Sequence, residues 1–67
     1  MEIKEFYIVE SRHPNVGIIT ELRVFTTKSE AVSFAAKLAK KVADEIEVFS
    51  KEGLVKRSNP SNNYDDP

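Results

Sequence analysis

Apolar and polar positions alternate along much of this chain, and the places where alternation fails are the informative ones. In KEFYIVES (residues 4–11), Phe6, Tyr7, Ile8 and Val9 form an unbroken apolar run. β-Branched and aromatic residues favour extended backbone, so the run predicts a strand. Successive side chains point to opposite faces, which puts apolar groups on both sides of it. RHPNVG (residues 12–17) collects Pro14, Asn15 and Gly17, the chemistry of a turn. IITELRVFT (residues 18–26) predicts a second strand and hence an antiparallel hairpin. Its even positions Ile18, Leu22 and Val24 make an apolar face, and its odd positions Ile19, Glu21, Arg23 and Phe25 make a mixed one.

A switch to helical spacing follows. Thr27 with Glu30 three residues on is a capping box, which satisfies N–H groups otherwise orphaned at a helix start. Ala31, Phe34, Ala35, Leu38 and Val42 then fall on one stripe, with Ser33, Lys37 and Lys40 roughly opposite. The helix should end near Val42 or Ala43, and the alanines at 31, 35 and 39 let it lie close on a sheet. Asp44 and Glu45 mark the exit to a third strand, residues 46–50, with Ile46 and Val48 toward the helix and Glu47 and Phe49 away. KEG (residues 51–53) suits a three-residue hairpin loop with Gly53 in a left-handed conformation, and residues 54–58 make a fourth strand. The pattern predicts an α+β fold, an antiparallel sheet in the order β-β-α-β-β with one helix packed on one face. Residues 1–58 make the single compact domain. Residues 59–67, NPSNNYDDP, are too polar to offset their ordering entropy and read as a disordered or loosely docked tail.

One helix covers one face of a sheet, so the second face is the question the pattern raises. Ile19, Phe25 and Phe49 are expected there, joined by Val55 and by one of two rows of the first strand. The Tyr7 hydroxyl is easier to satisfy at an interface than in a core, which favours Phe6 and Ile8 inward and Tyr7 and Val9 outward. The expected interface is therefore Tyr7, Val9, Ile19, Phe25, Phe49 and Val55. Contiguous apolar patches of this kind mark interaction sites, against the ordinary background of scattered surface hydrophobics or partial cover by Tyr64. If the partner is a second copy, the contact is isologous, with Glu21, Arg23, Glu47 and Arg57 available to pair across it.

Composition sharpens that expectation. Sixty-seven residues support one small core, and a domain of that size is marginal without added burial. Disulfides, a metal or a partner usually supply the difference. The chain has no cysteine and a single histidine, His13, which leaves assembly. Ten Lys and Arg against eleven Asp and Glu give a net charge of −1, so no overall field draws the chain to nucleic acid or anionic membrane. Met1 precedes Glu2 rather than a basic and then apolar stretch, and no apolar run approaches the ~20 residues of a membrane helix. A cytoplasmic protein is expected.

Candidate chemistry is sparse. His13 lies in a turn two residues from Ser11, without the oriented partner and pocket that catalysis needs. No glycine-flanked serine elbow exists, and two glycines cannot build a phosphate-cradling loop. Asp44 with Glu45 reads as a helix exit, and Asp65 with Asp66 as solvated charge rather than a metal site. Asn59-Pro60-Ser61 is no glycosylation acceptor, because proline holds the middle position. The chain is expected to be non-enzymatic, with no cofactor and no small-molecule substrate. The alternative is a nucleic-acid-binding module contacting phosphates through Lys37, Lys40, Lys41 and Arg57, against the reading of those lysines as a solubilising helix end.

Several short pieces of the chain also fit one family. They are Tyr7, Ile8 and Val9; Thr27, Glu30 and Ala31 at the helix start; Ala35, Leu38, Ala39 and Lys40 within it; and Gly53 in the last hairpin. The ending fits as well, with Arg57, Ser58 and Asn59 leading to Asp66 and Pro67. Together they resemble the short bacterial and phage proteins grouped as domain of unknown function 2188. Members often carry a Gly-Trp pair where this chain has Gly17 and Ile18, and a histidine where Phe49 stands. The resemblance implies the fold above and a prokaryotic or phage origin. It implies no activity.

Overall fold

The computed structural model describes residues 5–58. Strands β1 (Tyr7–Arg12) and β2 (Ile19–Phe25) precede helix α1 (Lys28–Lys41), and strands β3 (Glu45–Ser50) and β4 (Gly53–Ser58) follow it. The polar segment 59–67, with Tyr64, Asp65 and Asp66, lies outside the described residues, as does Lys4 at the expected start of the first strand. The four strands form one antiparallel sheet in the order β2-β1-β3-β4. Because β2 and β3 are both antiparallel to β1, they run in the same direction, and α1 carries the chain from one to the other across β1.

The helix begins where its cap predicts. The Glu30 N–H donates to Thr27 Oγ1 over 3.3 Å, and the Thr27 hydroxyl donates to Glu30 Oε1 over 2.9 Å. The Glu30 carboxylate thus engages the cap's hydroxyl, where a capping box would have it take the cap's own N–H. Val42 closes the other end in extended backbone, its N–H donating to the Leu38 carbonyl over 3.1 Å. Ala31 and Ala35 are buried flat on the sheet against Val9, Ile46 and Val48, and Phe34, Leu38, Ala39 and Val42 pack around that centre. Lys40 and Lys41 occupy the last turn, where positive charge suits the helix dipole.

A glycine with positive φ stands at each hairpin, Gly17 at +74° and Gly53 at +122°. His13 and Gly17 clamp the first, the His13 N–H reaching the Ile18 carbonyl and the Gly17 N–H reaching the His13 carbonyl, each over 2.8 Å. In the second, Gly53 pairs directly with Ser50 and already belongs to β4, so the reversal itself is Lys51 and Glu52. Ser50 Oγ accepts the Glu52 N–H over 3.1 Å.

Register decides which rows meet the helix, and here the structure departs from expectation. Tyr7 pairs with Phe25 and Ser50, Val9 with Arg23 and Val48, and Ser11 with Glu21 and Ile46. These rows face α1. Val9 is fully buried, and Tyr7, Phe25 and Val55 pack against the core. Tyr7, Val9, Phe25 and Val55 are therefore helix-side residues, not members of the outer face. The physical reason lies further along β1. The other row continues from Ile8 into Glu10 and Arg12, and turning it under the helix would desolvate two charges. Ile8 half-covered is the lesser cost. With β1 so oriented, pairing forces the apolar positions Leu22 and Val24 of β2 outward.

A polar contact fastens the helix exit to the hairpin. Asp44 Oδ2 accepts the Ser11 hydroxyl over 3.1 Å and the Thr20 hydroxyl over 2.6 Å. Ser11 is only 1% exposed, so its hydroxyl needs such a partner. Thr20 reaches the site because the β1–β2 register shifts between Ser11 and Arg12, leaving Thr20 as the extra residue of a bulge.

Candidate interaction surface

The side of the sheet away from α1 is ordered in rows set by cross-strand pairing. Val24 pairs with Ile8, Ile8 with Phe49, and Phe49 with Leu54, so one row is apolar across all four strands. The next runs Leu22, Glu10, Glu47, Arg57, and the third Ile19, Arg12, Glu45. Val24 is 64% exposed, Leu22 57%, Leu54 49% and Ile19 47%, while Ile8 and Phe49 are half-buried between their neighbours. Val16 and Ile18 of the first hairpin turn add further exposed apolar surface. Such a density of large side chains in water is unusual beside a core of five buried hydrophobic residues among the described ones.

Of the six residues expected here, Ile19 and Phe49 are in place. Ile8, Leu22, Val24 and Leu54 stand where Tyr7, Val9, Phe25 and Val55 were expected. The signal that could have identified them is the charge content of the alternate rows: Glu10 and Arg12 mark the row of Ile8 as the solvent side.

Four of the five charged residues of this face, all but Glu45, are paired within the chain. Arg12 Nη2 meets Glu10 Oε1 at 3.0 Å, and Arg57 meets Glu47 Oε2 at 2.7 Å. Each arginine offsets the repulsion of Glu10 and Glu47, which sit directly opposite one another on β1 and β3. Glu21 and Arg23, expected to pair across a copy, instead bond to each other at 3.1 Å on the helix side, where the Arg23 guanidinium lies 5.1 Å from the Phe34 ring centre.

The basic residues do not converge. Lys37, Lys40 and Lys41 are exposed on α1, whereas Arg57 is on the opposite side of the sheet in its bond with Glu47. His13 is exposed in its turn, with Nδ1 accepting the Asn15 N–H over 3.2 Å, while the Ser11 hydroxyl is engaged by Asp44. Among the described residues no three His, Cys, Asp or Glu side chains gather as a metal site would require, and no helix is long and apolar enough to cross a membrane.

A cleft of about 440 Å³ opens at the end of the sheet near the helix start, lined by Glu5, Tyr7, Lys28, Lys51 and Glu52 among others. Burial raises the Tyr7 phenol above its ordinary 10.0, helped by the Glu5 carboxylate, which accepts its O–H over 3.3 Å, and by Glu52. Charges of both signs line this cleft, and among the described residues no oriented donor set selects a ligand for it.

The protein is thus a small α+β domain with a helix layer on one side of a four-stranded antiparallel sheet and an apolar row on the other. Comparison with protein-family models, with curated proteins and with solved structures found no match.

Proposed function

We propose that this protein is a non-enzymatic interaction module that binds a protein through the outer face of its sheet. One observation carries the reading: the row Val24, Ile8, Phe49, Leu54 is apolar across every strand, and among the described residues no element lies over it. Fully burying one such side chain is worth roughly 1.5–3 kcal/mol, so covering the row would add materially to a small domain. Membership of the domain of unknown function 2188 family is proposed alongside, on the short matches quoted above, and bears on origin rather than activity. A cytoplasmic location fits the same reading.

The test compares the wild-type chain with a Leu22→Lys, Val24→Lys double variant whose fold is verified by circular dichroism. Both positions are well exposed, so the monomer should tolerate the change. Self-association by light scattering, and capture of proteins from a cell extract, should both weaken in the variant. A folded variant that keeps every association of the wild type would remove this face from the function. Binding to nucleic acid that weakens steeply with salt, and is unchanged in this variant, would place the function on the α1 lysines instead.

A further inference from the structure

We infer that the occupant of the outer face is a second copy of this chain, related by a two-fold axis parallel to the strands. The inference rests on the outer face being the interaction surface, and four features of that face lead from there to a copy.

The first is size matching within the row. A two-fold parallel to the strands reverses the strand order, laying β2 over β4 of the second copy and β1 over its β3. Val24 then meets Leu54, and Ile8 meets Phe49. Each contact sets a smaller side chain against a larger one, the arrangement that lets facing layers interdigitate. An axis along the row would instead stack Phe49 on Phe49 and Val24 on Val24.

The second is overlap. The apolar row is one residue from the Tyr7 end of the sheet, so rotation about the row would swing the rest of each sheet clear of the other. Rotation about the strand direction keeps the sheets in register. Four strands about 4.8 Å apart and six residues of about 3.3 Å give a footprint of roughly 400 Å². That is about half the ~800 Å² per partner of a standard interface, which fits a reversible dimer and not a permanent one.

The third is charge. The outer face holds Glu10, Glu45 and Glu47 against Arg12 and Arg57, a mixed surface with no single-sign field to repel its own copy. The strand-parallel axis brings Arg12 over Glu45 of the second copy. It also brings Glu10 over Glu47, each of which already carries its own arginine.

The fourth is the state of the sheet edges. β2 turns Glu21 and Arg23 toward the helix side, and β4 carries Lys56 and Arg57 beside a bulge between Val48 and Phe49. Inward charges and bulges are devices that oppose strand-to-strand addition. Association is thereby directed to the face.

The absence of native cysteine makes cross-linking a clean test. With sheets about 10 Å apart, Val24 and Leu54 of the second copy are about 10 Å apart, whereas Val24 and its own counterpart are about 17 Å apart. Val24→Cys mixed with Leu54→Cys should therefore cross-link efficiently through a short bifunctional maleimide, and each variant alone should not. Light scattering of the wild type should show a dimer growing with concentration, and Leu22→Lys with Val24→Lys should weaken it at least tenfold. Cross-linking of Val24→Cys alone, as efficient as in the mixture, overturns the axis. A wild type that stays monomeric at high micromolar concentration overturns the second copy altogether. If extract proteins are then still captured by the wild type and lost in the lysine variant, the interaction reading stands without the dimer. If nothing is lost, both fall.

Discussion

Ser11 and Asp44 are joined by a 3.1 Å hydrogen bond across 33 residues of sequence, tying the end of β1 to the residue that leaves the helix. Ser11 is nearly inaccessible and Asp44 is not, so the two partners are not equivalent. Removing the carboxylate takes the charged acceptor from both hydroxyls, leaving the buried Ser11 only its 3.1 Å contact with the Thr20 hydroxyl. Removing the serine hydroxyl leaves Asp44 with Thr20.

Asp44→Ala should accordingly lower unfolding stability by about 1–2 kcal/mol, and Ser11→Ala by less. Urea denaturation followed by circular dichroism ranks them. Equal losses, or a larger one for Ser11→Ala, would mean that the hydroxyl contributes by filling space and not by bonding.

The sidedness of the sheet gives a sharper contrast, because Val9 and Val24 have the same chemistry and opposite environments. Val9 is fully buried under α1, and Val24 is 64% exposed on the outer face. Val9→Ala should cost about 2–3 kcal/mol, the transfer of two methyl groups plus the cavity they leave. Val24→Ala, measured at a concentration low enough to exclude self-association, should stay within about 0.5 kcal/mol. Reversal of that order would return the first strand to the orientation its tyrosine hydroxyl suggests.

That contrast also marks where the amino-acid pattern stops being decisive. Thr27 and Glu30 fix the helix start, the stripe from Ala31 to Val42 its buried side, and Gly17 and Gly53 mark where the two hairpins lie, because each of these signals is local. A two-residue period divides a strand into two rows but does not say which row meets a helix 20 residues further on. In β1 the information was present in Glu10 and Arg12, four and six positions beyond Phe6 on the same row, and it outweighs the preference of one tyrosine. In β2 it was not present locally at all. Leu22 and Val24 face outward only because pairing with β1 carries them there. The interaction face was thus legible as a surplus of apolar residues, and its membership was settled by long-range pairing. The Ser11, Thr20, Asp44 contact depends on a bulge and on strand order, neither of which has a sequence period.

Arg23 and Phe34 form a second long-range relationship that can be measured. The guanidinium lies 5.1 Å from the ring centre, and Phe25 packs against the same ring at 5.4 Å between centroids. Arg23 is more than half exposed, which limits a cation–π contact to about 0.5–1 kcal/mol. A double-mutant cycle of Arg23→Gln and Phe34→Leu should return a coupling of that size. The ion pair with Glu21 also lies at the surface, the Glu21 side chain being 35% exposed, and should contribute less, so Glu21→Gln alone should be close to neutral. Zero coupling in the cycle would reduce the arrangement to coincidental proximity.

Tyr7 supplies a dependence on pH whose sign is fixed by its surroundings. Burial, the Glu5 carboxylate and Glu52 all disfavour the phenolate, so the folded phenol titrates above 10.0. Below the unfolded value both states keep the proton, and the interaction contributes its full stability. As pH rises past 10.0 the unfolded chain releases its proton first, and stability falls until the folded phenol has titrated as well. Ultraviolet titration of the wild type against Tyr7→Phe isolates this group from the chain's other tyrosine. The difference should show a phenol ionising later than a free tyrosine, and Tyr7→Phe should flatten the alkaline decline in stability. A Tyr7 that ionises at or below 10.0 would mean that its hydroxyl is open to water and that Glu5 does not hold it.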